Sequence, residues 1–389
     1  MKMGDGGVPA RTVLEQRIRE RRLTFEEFVE FAENFAREHN EPGTLSVRHL
    51  QRLAGGRGEH GRPLGRPRAA TARLLERIFG TSIDELLSPP DAASRVETDS
   101  AAELRRMLRA SEHVNSSVVA LLRGQLAATR RLDRQFGTIV AHEEVVAKIT
   151  QVTRLLEHSL SPSTREQLAA HLSELHALAG WQMLDTGNAN SSWHHYSRAA
   201  TAASQSGEPG FAAHSAAGQA FVLIDLGRTG EAAKLLDATR HETAYRTGRL
   251  LRSWLAAAHG EALAADQRHA DSLSAFDQAR SLLPDECAAD EGPYVVLDEA
   301  HFGRWRGHAL AQLGEPSAVD VLTAALDRLD GTFTRAETSL RTDLATAHAT
   351  LGELNEAHQE MSRAAALAVG IGSARQRKRL SALAGCQGT

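Results

Sequence analysis

Apolar residues recur at intervals of three and four along almost the whole chain, and alternating apolar and polar runs are nearly absent. Leu104, Met107 and Leu108 form one such group. Leu340 and Leu344 belong to another, much later in the chain. This spacing places apolar side chains on one face of a helix. The sequence therefore predicts an all-α fold.

Several helix starts are marked by a Ser or Thr that is followed three residues later by a Glu. In this capping box the hydroxyl accepts a hydrogen bond from the amide three residues on, and the Glu carboxylate reaches back to the first amide. The pattern occurs at four places: Thr24 with Glu27, Ser82 with Glu85, Ser163 with Glu166, and Thr334 with Glu337. We expect a helix to begin at each of them.

The first 90 residues predict a bundle of five short helices. Their expected bounds are 11–22, 24–39, 47–53, 68–79 and 83–87. Ser88-Pro89-Pro90 follows, and prolines remove helix donors. A chain of 389 residues suits two to four domains, so we place the end of a first domain at residue 90.

Residues 91–160 are predicted to form a helical linker. One apolar stripe at helical spacing runs through Val118 and Leu122, and a second runs through Val145 and Ile149. Such stripes can pack inside the protomer or against a second copy of the chain. Both alternatives stay open, and the second makes the linker a candidate for dimerisation.

The remainder of the chain, residues 161–389, has an internal periodicity. Gly187 and Gly227 each close one helical pattern and are 40 residues apart, and Gln267 stands a further 40 residues on. Glycine allows a tight turn between helices, and small residues let helices approach closely. The pattern predicts about five helical hairpins over 163–371.

Two stretches have the spacing of the tetratricopeptide repeat: Gly260, Leu263, Phe276, Ala279 and Pro284, and less completely Gly180, Met183, Tyr196 and Ala199. The period near 40 is longer than the 34 residues of the standard motif. The resemblance implies that residues 161–389 form a tetratricopeptide-like (TPR-like) α-solenoid with a concave binding surface. A polar capping helix is expected over 373–383, with Arg375, Arg377, Lys378 and Arg379.

Charge distinguishes the first domain from a generic helical bundle. The chain carries a net charge of -4, but residues 44–80 hold eight arginines against Glu59 and Glu76, a local charge of +6. Clustered arginines supply the phosphate contacts of DNA-binding domains. Short helices that carry Arg, His and Gln near their N-termini reach base edges in the major groove. The pattern therefore indicates DNA binding.

Four phrases of this domain resemble the lambda-repressor-like (XRE) helix-turn-helix domains of regulators in high-GC Gram-positive bacteria: LTFEEF at 23–28, LSVRHLQR at 45–52, RPRAAT at 66–71, and LERIFGTSIDELL at 75–87. The turn between the second and third helices is longer than in that family. The resemblance implies a recognition helix over 47–53 and two sets of DNA-binding residues: Arg48, His49, Gln51 and Arg52 face the groove, and Arg57, Arg62, Arg66 and Arg68 clamp phosphates.

The fourth predicted hairpin carries a candidate effector site. Its members are His301, Arg304, Trp305 and His308. If the first helix of each hairpin lines the concave face, Arg304 and His308 point inward one turn apart. Arginine pairs with anionic groups, and tryptophan offers a stacking face to a peptide or small molecule. The alternative is that Trp305 only packs between helices.

The sequence gives no indication of catalysis, of a metal site or of a cofactor. His171 and His176 do not share a helix face, and no nucleophile elbow or paired-carboxylate motif occurs. Two cysteines can build neither a disulfide framework nor a thiolate zinc site. Residues 1–10 lack the apolar core of a signal peptide, and no apolar run reaches the length of a bilayer span. We expect a cytoplasmic protein that does not contact membranes.

These patterns together predict a non-enzymatic transcriptional regulator that binds double-stranded DNA as a homodimer. Its repeats would bind a peptide or small-molecule effector, as in regulators that join a helix-turn-helix to a ligand-binding solenoid. A second hypothesis is a TPR-type scaffold that binds protein partners and no DNA. A third is an enzyme in an unfamiliar helical fold. Salt-dependent binding to a defined duplex separates the first hypothesis from the other two.

Overall fold

The computed structural model describes residues 10–21, 23–39, 41–56, 66–89, 91–284 and 292–387. Within these ranges the chain is all-α, with 19 helices and no strand. The chain consists of two compact units. We call Met1–Arg106 the head and Met107–Thr389 the array. Among the helices described, none has both the length and the apolar content needed to cross a bilayer.

The head contains the five predicted helices, with every end within two residues of its expected position. They are α1 Val13–Glu20, α2 Phe25–Glu38, α3 Val47–Ala54, α4 Ala69–Phe79 and α5 Ile83–Leu86. A sixth helix, α6 Asp91–Glu112, contains the boundary between the head and the array. The inward faces of α1 to α5 form a single core, whose fully buried side chains include Leu14, Ile18, Phe28, Leu50, Leu74, Leu75 and Leu86.

Local hydrogen bonds explain why two of these helices begin where they do. The Thr24 hydroxyl accepts from the Glu27 amide at 3.2 Å, and the Glu27 carboxylate accepts from the Thr24 amide at 2.7 Å, which completes the predicted capping box. The Ser82 hydroxyl accepts from the Glu85 amide at 3.3 Å. Each of these bonds satisfies an amide that has no partner inside the helix.

The array consists of consecutive helices that pack in pairs. The helices are α7 Ser116–Phe136, α8 Thr138–His158, α9 Pro162–Asp185, α10 Ala189–Ser206, α11 Pro209–Asp225, α12 Thr229–Thr243, α13 Arg249–Ala265, α14 His269–Leu282, α15 Glu299–Gln312, α16 Ala318–Arg328, α17 Thr334–Leu351, α18 Leu354–Gly370 and α19 Ala374–Gln387. Five hairpins, α9 to α18, lie over the predicted range. A sixth hairpin, α7 with α8, precedes them.

The 40-residue period corresponds to a repeated turn geometry. Gly187 and Gly227 have φ values of 81° and 75°, in the left-handed region that favours glycine. Gln267 adopts φ 58° at the equivalent position, although it carries a side chain. Inside one hairpin, a Cβ on Gly260 would lie 2.7 Å from the Phe276 ring. The close packing of the two helices therefore requires glycine at this position of the motif.

Both capping boxes predicted in the array are wrong. The helix expected to begin at Ser163 begins instead at Pro162, and the Ser161 hydroxyl caps it by accepting from the Thr164 amide at 3.4 Å. Proline suits this first helical position, because its missing N–H would have had no partner there. Thr334 is itself the first residue of α17 and makes no capping bond.

The apolar stripes of the predicted linker pack within the protomer. Leu122, Val145 and Ile149 are buried in one core with residues of α9, and Val118 packs against that core. Residues 107–160 therefore belong to the array rather than to a separate linker. This intramolecular packing covers both stripes through which the linker was a candidate for dimerisation.

The array curves back on its own beginning. Helix α17 contacts α7, and α19 contacts α9. Helix α19 lies over the predicted capping segment, 373–383. It is not polar on every side, because Leu380 is buried, and Arg375 and Arg379 line the cavity of the array. The first helices of the hairpins thus surround a common cavity.

Candidate functional site

The outer surface of α3 carries residues that the sequence assigned to a DNA groove. The inner face of this helix, Leu50 and Leu53, is buried in the core of the head. Arg48, Gln51 and Arg52 lie on the opposite side and are exposed. Because 48, 51 and 52 are separated by three and four residues, their side chains share one helix face.

Both ends of α3 are held by side-chain hydrogen bonds, one from α4 and one from the residue that caps α1. The Thr71 hydroxyl of α4 donates to the Thr44 carbonyl at 3.1 Å, just before α3 begins. The Thr12 hydroxyl donates to the Ala54 carbonyl at 2.8 Å, where α3 ends. The exposed face of α3 is therefore presented on a fixed backbone.

No carboxylate among the described residues pairs with the three arginines on this surface. Arg48, Arg52 and Arg68 make no ion pair with any residue that the structure describes. Burial lowers the pKa of the half-buried His49, and the charges of Arg52 and Arg68 lower it further. The imidazole is thus neutral near pH 7 and can donate or accept a hydrogen bond.

The predicted phosphate clamps are less uniform than the groove face. Arg68 is exposed and unpaired among the described residues, whereas the Arg66 Nε donates to an Asp84 oxygen at 3.0 Å. The Arg66 and Asp84 side chains are 74% and 63% exposed, so a phosphate can compete with this carboxylate. Arg57 and Arg62 lie outside the described residues.

The array provides a different kind of site, a cavity of 460 Å³ at its centre. Side chains from α7, α9, α11, α13, α15, α17 and α19 line it. The four residues predicted to bind an effector all lie on its wall: His301, Arg304, Trp305 and His308. Sites for small molecules commonly have volumes of about 300 to 1,000 Å³.

An aromatic cluster forms the apolar side of the cavity. The Trp305 ring centroid lies 5.6 Å from that of Trp254 and 5.7 Å from that of Phe221. Trp305 therefore packs between helices and also borders the cavity. Its Nε1–H is buried and has no acceptor within the described chain.

Two ion-pair clusters tie distant parts of the array together at the cavity wall. Arg335 of α17 donates to Asp133 of α7 at 2.9 Å and to Asp185 of α9 at 2.6 Å. Arg375 of α19 makes three hydrogen bonds of 2.7 to 3.0 Å with Asp225 of α11. Sequence reasoning missed these residues, because the partners are 150 to 202 positions apart and no local spacing marks them.

Arg304 stands apart from the paired arginines. It makes no hydrogen bond or ion pair in the part of the chain that is described, and its Nε atom is buried. Its guanidinium carbon lies 5.6 Å from the Trp305 ring centroid. Burial lowers the pKa of Arg304, while the more distant Glu261 and Asp343 raise it. The group thus remains charged in a partly dehydrated position.

The two histidines of the predicted site are held by carboxylates. A ring nitrogen of His301, Nδ1, lies 2.8 Å from Asp298, and this hydrogen bond lowers the pKa of Asp298 to about 2. His308 Nδ1 lies 2.8 Å from Asp343, and its Nε2 is 3.7 Å from Glu261. Burial alone would raise the pKa of Asp343, but its cationic neighbours hold it well below its ordinary value.

The two surfaces offer distinct chemistry. The exposed basic face of α3 fits an extended polyanion, and the cavity fits a molecule small enough to be enclosed. No three side chains of metal-ligating type converge anywhere in the described ranges. The chain matches no known protein-family model and shows no significant match to a curated protein sequence.

Proposed function

We propose that this protein is a sequence-specific DNA-binding transcriptional regulator whose array binds an effector. The observation that carries the proposal is the face of α3. Arg48 and Arg52 are exposed there beside Gln51, without a carboxylate partner in the described head, on a helix fixed at both ends. The segment 44–80 around it has a charge of +6.

In this proposal α3 is the recognition helix of an XRE-type helix-turn-helix. Arg48 and Arg52 suit the guanine edge, which accepts two hydrogen bonds from one guanidinium. Gln51 suits adenine in the same way. Arg68 at the start of α4, with Arg66 once released by Asp84, contacts phosphates and supplies affinity that does not depend on sequence.

A single head of this size reads only a short half-site, so the regulator acts as a homodimer on a two-fold site. Because Val118, Leu122, Val145 and Ile149 pack within the protomer, another surface would form the dimer. One protomer has a mass of 42.1 kDa. Light scattering of the full chain should give twice this mass at concentrations above the Kd for DNA.

The array would act as a TPR-like sensor whose effector occupies the cavity. An effector changes DNA affinity only if it binds two states of the regulator with different affinity. The coupling is then reciprocal, so DNA changes the affinity for the effector by the same factor. Helix α6, which spans the boundary between head and array, is the covalent route for this coupling.

The test begins with selection of duplexes from a random-sequence library by the full-length protein. Affinity for an enriched duplex should fall steeply with salt, since bound arginines release counterions. Arg48→Ala and Arg52→Ala should weaken binding, whereas Arg131→Ala, which removes an exposed charge from the array, should not. If no duplex is enriched, or if all three variants bind as the parent does, the DNA-binding proposal is wrong.

A further inference from the structure

We infer that the cavity of the array binds a small organic monoanion, with a carboxylate or similar group on Arg304 and a planar apolar part against the tryptophans. The inference rests on the proposed function only in taking this ligand to be the effector. Binding to the cavity is measured without DNA, so either idea can fail while the other stands.

The first step is the unpaired state of Arg304. Arginines 130, 335, 375 and 379 on the cavity wall each bond to a carboxylate, and Arg134 donates a hydrogen bond to the Tyr294 hydroxyl. Arg304 bonds to none within the described ranges, although its neighbours leave it partly dehydrated. A buried charge without a partner is costly, and an anion that enters the cavity removes this cost.

The second step concerns the donor beside it. The Trp305 Nε1–H is also buried without an acceptor in the described chain, and Trp305 follows Arg304 directly on α15. Buried N–H groups are almost always hydrogen-bonded in native structures. Two adjacent residues that line the cavity thus carry buried donors without an acceptor in the described chain, which suits a ligand with acceptor oxygens.

The third step concerns the part of the ligand that does not carry the charge. The rings of Phe221, Trp254 and Trp305 lie within 6.2 Å of one another, and all three border the cavity. Trp181 adds a fourth ring to the wall. Aromatic side chains bind planar apolar groups by stacked and edge contacts. A volume of 460 Å³ accommodates such a group together with its anionic end.

The charge balance limits the ligand to one negative charge. Six arginines line the cavity with four carboxylates, and two further carboxylates, Glu174 and Asp343, bond to Arg130 and Arg379 from behind the wall. The wall and these two residues are therefore balanced before a ligand enters. A polyanion such as a nucleoside triphosphate would bring several negative charges to a wall whose charges already balance, and it is not expected to bind. Among the six described arginines of the wall, Arg304 alone makes neither a hydrogen bond nor an ion pair.

Calorimetric titration of the full-length protein tests the inference with matched probes. The anions are benzoate and 2-naphthoate, and benzamide and 2-naphthamide are their neutral counterparts. A short peptide ending in Trp, with a free or an amidated C-terminus, tests whether the carboxylate belongs to a peptide end. Naphthalene-2,6-dicarboxylate supplies a second charge. We expect at least one monoanion to bind more tightly than its amide and than the dianion.

Variants assign this preference to Arg304. Arg304→Gln should weaken binding of the preferred anion by about 10- to 100-fold and leave binding of its amide unchanged, as expected for loss of a charged hydrogen bond. Arg304→Lys should retain part of the preference. The matched control is Arg306→Gln, two residues along α15, where the guanidinium pairs with Asp277 at 3.4 Å outside the cavity wall.

The unfolding midpoint of Arg304→Gln shows whether the variant folds. Because Arg304 has no partner in the described array, its removal should leave the midpoint unchanged or raise it. The inference is overturned if the midpoint falls strongly, if no anion binds better than its amide, or if Arg304→Gln leaves the preference intact. The inference is also overturned if the amidated peptide binds and none of the anions does. That result indicates an effector recognised through its peptide backbone.

Discussion

Arginine has different surroundings in the two units. On α3 and at the start of α4 in the head, Arg48, Arg52 and Arg68 face solvent without carboxylate partners in the described ranges. In the array, six arginines face inward, and four of them bond to carboxylates. An exposed charge stays hydrated and costs little stability without a partner, whereas an enclosed charge destabilises the fold unless it is paired. An unpaired inward arginine therefore marks a ligand site more strongly than an unpaired outward one.

Burial also determines the protonation of several histidines in the array. Burial lowers the pKa of His171, His214 and His259 in the array to about 4, and that of His176 to about 3. The array thus contains buried histidines that are uncharged at neutral pH. All four tryptophans of the chain also lie in the array, so tryptophan fluorescence follows its unfolding alone.

The largest expected effect is that acid destabilises the folded array. The folded pKa values of these histidines lie below the ordinary value of 6.5, so the unfolded chain binds more protons between pH 6.5 and about 4. The free energy of unfolding of the array should therefore fall as the pH falls through this window, by about 1.4 kcal/mol for each pKa unit of a buried group such as His171. Denaturant titrations followed by tryptophan fluorescence at pH 7, 6 and 5 measure this fall.

A single substitution assigns part of the acid effect. His171→Leu removes a buried titrating group and should lower the pH at which the array unfolds. His241→Leu is the control, because that side chain is 78% exposed. Equal acid midpoints for the parent and His171→Leu would show that His171 does not contribute.

The second largest effect is expected from Arg335→Ala. Arg335, Asp133 and Asp185 are all at most 10% exposed, so the variant leaves two carboxylates buried without their cation. We expect the free energy of unfolding of the array to fall by about 3 to 5 kcal/mol. Urea titration followed by tryptophan fluorescence gives the value.

The matched control for Arg335→Ala is Arg363→Ala. Arg363 pairs with Glu360 on the surface and is 58% exposed, so its loss should cost about 0 to 1 kcal/mol. Similar losses in both variants would contradict the role of Arg335 in closing the array.

Substitutions on the exposed face of α3 should change DNA specificity and leave stability unchanged. Arg52→Ala should leave the unfolding of the head unchanged and weaken the selected duplex by about 1 to 3 kcal/mol relative to random DNA. Gln51→Ala should act in the same direction. Circular dichroism measures the first quantity, and competition binding measures the second. A stability loss without a change in specificity would show that Arg52 and Gln51 stabilise the head and do not read the duplex.

The smallest effect separates two phosphate contacts. Arg68→Ala should weaken all duplexes alike and reduce the salt slope by about one, because it removes one counterion-releasing contact. Arg66→Ala should do less, since Asp84 already occupies its guanidinium. Asp84→Asn should free Arg66 and raise affinity for every duplex. An Asp84→Asn variant with lower affinity would show that Arg66 does not contact DNA.

The amino-acid sequence by itself determined the local structure of this protein. The five helices of the head, the cap at Thr24 and the hairpin turns at Gly187 and Gly227 depend on interactions within a few residues. Even the left-handed turn at Gln267 follows from its place in the 40-residue period. The candidate residues around Arg304 were found for the same reason, because a helical spacing of three and four is visible in the chain.

Only the tertiary structure decided which arginines are paired. Arg66 and Arg68 look alike in sequence, yet one meets Asp84, 18 residues away, and the other meets no carboxylate in the described head. Arg335 meets Asp133 across 202 residues because the array curves back on itself. Such pairings depend on the summed rotations of many helices, and no local pattern encodes that sum. The free charge of Arg304, and with it the chemistry of the cavity, becomes apparent only once the ring of helices is closed.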